Sequence, residues 1–145
     1  MDLPENLYLE MFKRIPVLSV DAVIIQNQQI LFAKRNIEPY KDYWCLPGGR
    51  MDIGETCENA VVREAREETG LICTVEKLLG VYSGPGRDPR GHTVSIGYLL
   101  KPVGGKLTGN FESSELKFFP LPEIPKDLGF DHQSIVKDAL SFLNT

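Results

Sequence analysis

Between Thr56 and Thr69 the apolar residues Cys57, Ala60, Val61 and Ala65 recur at i, i+3, i+4 and i+8, the stripe of a helix packed on a core. Thr56 reads as its N-cap, with Glu58 in the first turn, and Gly70 as a left-handed C-cap. The same stripe holds two carboxylates. At about 100° per residue, Glu64 and Glu68 both fall within about 20° of Cys57, with Glu67 at the edge. Burying ionised carboxylates together costs several kcal/mol each unless something cationic meets them. A hard divalent cation answers both the cost and the clustering.

Elsewhere the pattern alternates strands with loops. Residues 16–26 are rich in Val and Ile, Asn27-Gln28 offers a turn, and residues 29–34 form a second apolar run, which predicts a strand pair. Residues 44–49 make a Pro-Gly-Gly loop in which Trp44 reads as a core anchor. Residues 73–83 and 92–100 predict strands flanking a Pro- and Gly-rich loop, residues 84–91, and Gly104-Gly105 predicts a turn. A further strand is expected over residues 116–121. Asp131 is positioned to cap a last helix with the stripe Ile135, Val136, Ala139, Leu140 and Leu143, and the neighbouring His132 reads as part of that cap. Residues 5–14 fit no single pattern. The sum is a mixed α/β chain without internal repeats, expected to fold as one domain over residues 1–145.

Composition narrows the function classes. Hydrophobic content of 42% and charged content of 25% match soluble globular proteins and exclude a disordered or fibrous chain. No apolar run reaches the ~18 residues needed to span a bilayer, and the first residues carry neither the basic nor the apolar part of an export signal, so no membrane association and a cytoplasmic location are expected. Three widely spaced cysteines, Cys45, Cys57 and Cys73, fit free thiols better than a disulfide framework or a zinc site. The net charge of -4 argues against nucleic acid as a partner but not against a small anionic substrate, since a metal and a few arginines reverse the sign within one pocket.

Spacing then identifies the helix. Gly49, Glu55, Arg63, Glu64, Glu67, Glu68 and Gly70 fit G-x5-E-x7-R-E-U-x-E-E-x-G-U without a gap, with Ala65 and Leu71 at the U positions. Seven fixed identities recur by chance on the order of once in 10⁸ starting positions. The chain therefore resembles the Nudix hydrolases. The one departure is Ala65, smaller than the usual aliphatic residue and carrying no chemical group to lose. The resemblance implies an α/β/α sandwich with a mixed β-sheet and Mg²⁺-dependent cleavage of a diphosphate linkage, with Mn²⁺ able to stand in. It implies a metal site of Gly49, through its carbonyl, with Glu64, Glu67 and Glu68, while Arg63 and Glu55 pair to brace the loop against the helix. Glu112, in the loop before the strand over residues 116–121, falls where the family often adds a further carboxylate, with Glu115 as its rival; Glu112 or Glu67 would act as general base.

The chemistry suits the reaction. Cleaving a diphosphate spreads negative charge over phosphoryl oxygens, and magnesium neutralises it through carboxylate, carbonyl and water oxygens. Substrate choice rests on loops. Arg87, Arg90 and His92 lie in or beside a stiff Pro/Gly loop, where guanidinium forks could bind phosphate or ribose hydroxyls; the plain alternative is a surface loop in which Asp88 pairs with an arginine. The loop and the Phe130-Asp131-His132 tail resemble short ADP-ribose pyrophosphatases, which implies hydrolysis of ADP-ribose to AMP and ribose 5-phosphate, and a homodimer. A nucleoside triphosphate or diadenosine polyphosphate hydrolase, and a non-hydrolytic nucleotide-sensing domain, stay open as alternatives.

Overall fold

The computed structural model describes residues 3–144. Ten residues at its start, Glu5–Arg14, form helix α1. Strands β1 (Val17–Gln26) and β2 (Gln29–Arg35) follow as a hairpin whose turn residues, Asn27 and Gln28, both take positive φ, the geometry a tight two-residue turn needs. Two short strands, β3 (Trp44–Cys45) and β4 (Gly48–Arg50), lead into helix α2 (Cys57–Thr69). Long strands β5 (Leu71–Tyr82) and β6 (Thr93–Gly105), then β7 (Ser113–Pro120) and helix α3 (His132–Leu143), complete the order.

The sheet is mixed. β1 runs parallel to β6 from Val17 opposite Thr93 to Ile24 opposite Leu100, while β4 pairs antiparallel with β1 over Ser19 to Asp21. β5 pairs antiparallel with β6, and β2 carries β7 and β3. Alternation along β1 sends Val20, Ala22 and Ile24 into one apolar cluster with Ala60, Val61 and Ala65 of α2, and Val23 into a second with Ile135, Val136 and Ala139 of α3. Helices thus cover opposite faces of one sheet, an α/β/α sandwich, as the resemblance implied.

Most local expectations match. The Thr56 side chain accepts the Asn59 N–H at 3.1 Å, and Gly70 closes α2 at φ 77°. Cys45 and Cys73 are buried thiols and Cys57 is half-buried. Four readings change. Residues 44–49, expected as a loop, carry the short strand β3 and the start of β4, which pair with β2 and β1. Residues 5–14 are helical, although only Phe12 is buried and Pro4 at the N-cap offers no side-chain cap. Gly104 and Gly105 stay paired with Ile72 and Leu71 as the end of β6, the break coming only where Gly105 turns to φ 81°. Asp131 precedes α3 but makes no capping bond, because its carboxylate is taken by Arg87. Among the described residues no helix is long and apolar enough to cross a membrane.

Candidate active site

A cleft of about 480 Å³ opens where the β1–β4–α2 corner meets α1, the loop after β5 and the start of α3. One wall is α2. Glu64 and Glu68 point inward from successive turns; the Glu64 side chain is 13% exposed, against 57% for Glu67, which stands at the rim as the helical phase predicts. Glu68 Oε2 accepts the Gly48 N–H at 3.1 Å. Burial chiefly, and then the charge of Glu64, pushes the Glu68 carboxyl well above its ordinary range. Glu64 is raised too, again by burial first, although Arg63 opposes the shift.

The second wall is β4. A Cβ placed on Gly49 would lie 2.5 Å from the Glu64 carboxylate, so only glycine lets this backbone approach it. Gly48 is constrained likewise from beneath by the Val20 carbonyl and the Asp21 carboxylate. Arg63 joins the walls. Its Nη2 and Nε donate to the two oxygens of Glu55 at 2.6 and 3.0 Å, Nη2 also reaches the Arg50 carbonyl at 3.0 Å, and Nη1 reaches Glu64 and Glu67 at 2.9 and 3.2 Å. Glu55 in turn accepts the Asp52 N–H at 2.7 Å, so loop and helix are braced through one guanidinium.

Glu112 faces these carboxylates. Its loop is pinned to the end of α2: Asn110 Nδ2 donates to the Glu67 carbonyl at 3.4 Å, and Asn110 Oδ1 accepts the Glu112 N–H at 3.0 Å. The Asn36 N–H donates to the Glu112 carbonyl at 2.9 Å. Glu115, on β7, stands opposite Lys34 of β2 in the strand register and borders a separate shallow hollow.

The remaining sequence candidates are placed differently. Arg87 lines the cleft, but its side chain is 5% exposed and is held by both oxygens of Asp131 at 2.7 and 2.9 Å and by Thr93 at 2.7 Å. Arg90 also lines it and is bound by Asp88, the pairing anticipated as the plain alternative. His92 is not among the lining residues; its Nε2 meets the Ser83 carbonyl at 2.9 Å and closes the base of the loop.

Residues the sequence reading passed over fill the gaps. Among the described residues lining the cleft, Arg35 and Arg50 are the arginines without a carboxylate partner, and they lie 5.2 Å over Phe130 and 4.0 Å over Tyr8. Beneath β4, Asp21 and His132 are buried together at 3.4 Å. Burial alone would raise Asp21, but His132, Ser95 and Arg87 outweigh it and hold the carboxyl low. Burial opposes a second proton on His132 and Asp21 draws one in, yet the Leu46 N–H donates to Nδ1 at 2.9 Å and occupies that lone pair. The pull of Asp21 raises the ring to about 9, but an Nδ1 that accepts the Leu46 N–H carries no proton of its own, so the hydrogen-bond geometry assigns the neutral Nε2–H form. Asp21 had a legible signal, a carboxylate amid the apolar run of β1.

Glu64, Glu67 and Glu68 are oxygen donors of the kind a hard cation takes, beside a backbone that a side chain would block. Among the described residues they are not drawn into a finished ligand cage, since Arg63 and the Gly48 amide hold them. The buried acids and the glycine cradle fit a divalent ion.

The family model of the NUDIX domain matches residues 16–139. The chain belongs to the NUDIX hydrolase family. An "ADP-ribose pyrophosphatase" of Methanocaldococcus jannaschii is 49% identical over 129 residues, 89% of this chain and 76% of that protein. The NUDIX domain of Shewanella oneidensis NrtR, solved with ADP ribose, superposes with a TM-score of 0.77 at 26% identity, covering 97% of this chain and 99% of that one. A bifunctional NMN adenylyltransferase/ADP ribose pyrophosphatase of Francisella tularensis, solved with AMP and a manganese ion, gives 0.76 at 27% identity; the match covers 94% of this chain and 47% of that longer one. NUDIX hydrolases generally use divalent metals, which accords with the acidic wall of this cleft.

Proposed function

We propose that this NUDIX hydrolase cleaves ADP-ribose to AMP and ribose 5-phosphate with Mg²⁺, Mn²⁺ serving in its place. The observation that carries the reading is the 49% identity to an ADP-ribose pyrophosphatase across most of both chains. Glu64, Glu67, Glu68 and the Gly49 carbonyl would hold the metal. When bound, such ions neutralise the diphosphate and make an attacking water more acidic. The chain's own groups then have distinct tasks. Glu67 or Glu112 accepts a proton from the water as its oxygen bonds to one phosphorus; the diphosphate P–O bond breaks and the departing phosphate leaves with its oxygen. Arg63, fixed by Glu55, keeps the α2 carboxylates aimed at the loop.

At the other end of the cleft, Arg35, whose Nε donates to the Pro39 carbonyl at 2.6 Å, and Arg50 supply guanidiniums without a carboxylate partner beside Phe130 and Tyr8, a surface suited to a nucleoside's ring and hydroxyls. Arg87 and Arg90 act there by shaping the loop, held by Asp131 and Asp88 as they are, and His92 by closing its base. We take residues 1–145 as one working domain, because both core clusters share β1, β2 and β6. The proposed cytoplasmic location accords with the three free thiols, and the proposed assembly as a homodimer is tested by light scattering in solution.

A second reading is favoured by the likeness to NrtR: the chain binds ADP-ribose as a signal and does not turn it over. The complete set Glu64, Glu67 and Glu68 favours hydrolysis. Incubating the protein with Mg²⁺ and a panel of ADP-ribose, ATP, diadenosine polyphosphate and 8-oxo-dGTP separates the readings. AMP and ribose 5-phosphate from ADP-ribose, with slower release from the others, supports the first. Preferred cleavage of a triphosphate or diadenosine polyphosphate overturns it, and tight binding without turnover selects the second.

A further inference from the structure

The backbone that carries Gly48 and Gly49 is held from below by two residues outside the NUDIX box. Leu46 and Pro47 run beside β1 into Gly48, the first residue of β4. The Pro47 carbonyl accepts the Ala22 N–H at 2.8 Å, and Gly48 pairs with Asp21. The Leu46 N–H is satisfied by neither strand; it donates to Nδ1 of His132, 86 positions later in the chain, at 2.9 Å. The imidazole is 4% exposed. Its other nitrogen lies 3.4 Å from Oδ1 of Asp21, whose second oxygen accepts the Ser95 hydroxyl and lies 3.7 Å from Arg87 Nη2. A Cβ on Gly48 would strike this same Oδ1 together with the Val20 carbonyl. One carboxylate therefore packs against the underside of Gly48 and orients the ring that anchors Leu46.

On the upper side of this segment, the Gly48 N–H donates to Glu68 and Gly49 lies against Glu64. A satisfied core histidine would need only any two partners. This one has its acceptor on the amide two residues before Gly48 and its donor toward the carboxylate directly beneath it.

We propose that His132, oriented by Asp21, is a positioning residue of the hydrolase: by holding the Leu46 amide it sets the path of residues 46–49 and so the seating of the Gly48 N–H against Glu68 and of Gly49 against Glu64. The inference rests on the hydrolytic reading above. It assigns His132 a hydrogen-bond acceptor role at Nδ1 and gives the ring no contact with substrate.

Two substitutions divide the ring's functions. His132→Asn places a carbonyl oxygen near the Nδ1 position and drops the reach to Asp21; His132→Gln reaches toward Asp21 and drops the acceptor for Leu46. Mn²⁺ affinity, read from the free-ion electron paramagnetic resonance signal, reports the site without any turnover, and kcat and KM for ADP-ribose report the reaction. The expected result is Mn²⁺ binding weakened about tenfold or more and kcat lowered to a similar degree in the Gln variant, with KM within about twofold of wild type, while Asn keeps both within about threefold. Equal loss in both variants, equal retention in both, or the reverse order overturns the proposal. Should either variant fail to fold, the wild-type protein decides: long-range ¹H–¹⁵N correlations must show His132 protonated at Nε2 and bare at Nδ1, and an Nδ1–H tautomer overturns it. Absence of AMP release from the wild type would defeat the hydrolytic reading alone, leaving the Mn²⁺ and tautomer results to judge His132.

Discussion

Gly49 shows how much one missing atom decides. A Cβ there would sit 2.5 Å from the Glu64 carboxylate, well inside any tolerable contact. Gly49→Ala should push Glu64 aside, lowering kcat for ADP-ribose by at least about tenfold, or about 1.4 kcal/mol in barrier, with a folded circular dichroism spectrum retained. Wild-type turnover in that variant would contradict the close approach. Asp21 makes a different claim, about acid. Facing His132 from α3, Ser95 from β6 and Arg87 from its loop, and with Glu68 nearby on α2, its carboxyl is held below the ordinary value. A depressed folded-state pKa contributes stability that is complete above the unfolded value of about 3.9 and is lost as pH falls through the folded one. Urea unfolding between about pH 4 and pH 2 should therefore decline more steeply for wild type than for Asp21→Asn; parallel slopes would count against the assignment. At this scale the box residues were legible because they are local, one helix and the loop before it. The pairing of Asp21 with His132 was not, because the contact joins positions 111 apart; the carboxylate amid the apolar run of β1 marked Asp21, but His132 taken alone reads as a cap residue.

Among the elements, the loop between β5 and β6 differs most from its sequence reading. Its arginines suggested a ligand-facing surface, but their guanidiniums are spent within the fold: Arg87 clamps the loop to Asp131 ahead of α3, and Arg90 closes on Asp88 within the loop. Nothing local in the sequence marks Asp131 as the partner, since an acid before an apolar stripe also serves as a helix cap. Arg87→Ala would leave Asp21 and Asp131 facing each other without their shared cation, and should destabilise the protein by about 3–5 kcal/mol in urea unfolding, the usual cost of breaking one side of a buried pair. A loss below about 1 kcal/mol would return Arg87 to a ligand-binding role. Helix α1 was illegible for another reason. It has no side-chain cap and buries only Phe12, so its sequence carries neither a start signal nor a wide stripe. It is held instead by rings and cations, Tyr8 under Arg50 at 4.0 Å and Phe12 under Arg90 at 5.6 Å, contacts that depend wholly on the rest of the fold.

For the whole molecule, the sandwich is a platform that brings a helix wall of acids, a glycine strand and an arginine-lined mouth to one end of β1. A mixed α/β chain was legible from two apolar stripes and the strand runs between them, and the sandwich itself from the resemblance that the spacing of the box residues carries. The cost of that platform is the buried charge of Glu64 and Glu68, both with pKa values raised chiefly by burial. Raised folded-state values mean stability that is complete below the unfolded carboxyl range, about pH 4.3, and declines as pH climbs through the folded values. Metal-free protein should thus melt higher near pH 5.5 than near pH 8. Millimolar Mg²⁺ should raise the melting temperature at pH 8 by roughly 2–6 °C and do less at pH 5.5. A pH-independent response would argue that the ion binds elsewhere.

The most direct test of a metal-dependent hydrolytic centre on α2 is Glu68→Gln, which keeps the side chain's shape and removes its charge. Turnover of ADP-ribose with Mg²⁺ should fall by at least about 10³-fold, while calorimetry shows ADP-ribose still bound within about tenfold of wild-type affinity. Turnover within a few-fold of wild type would contradict the account.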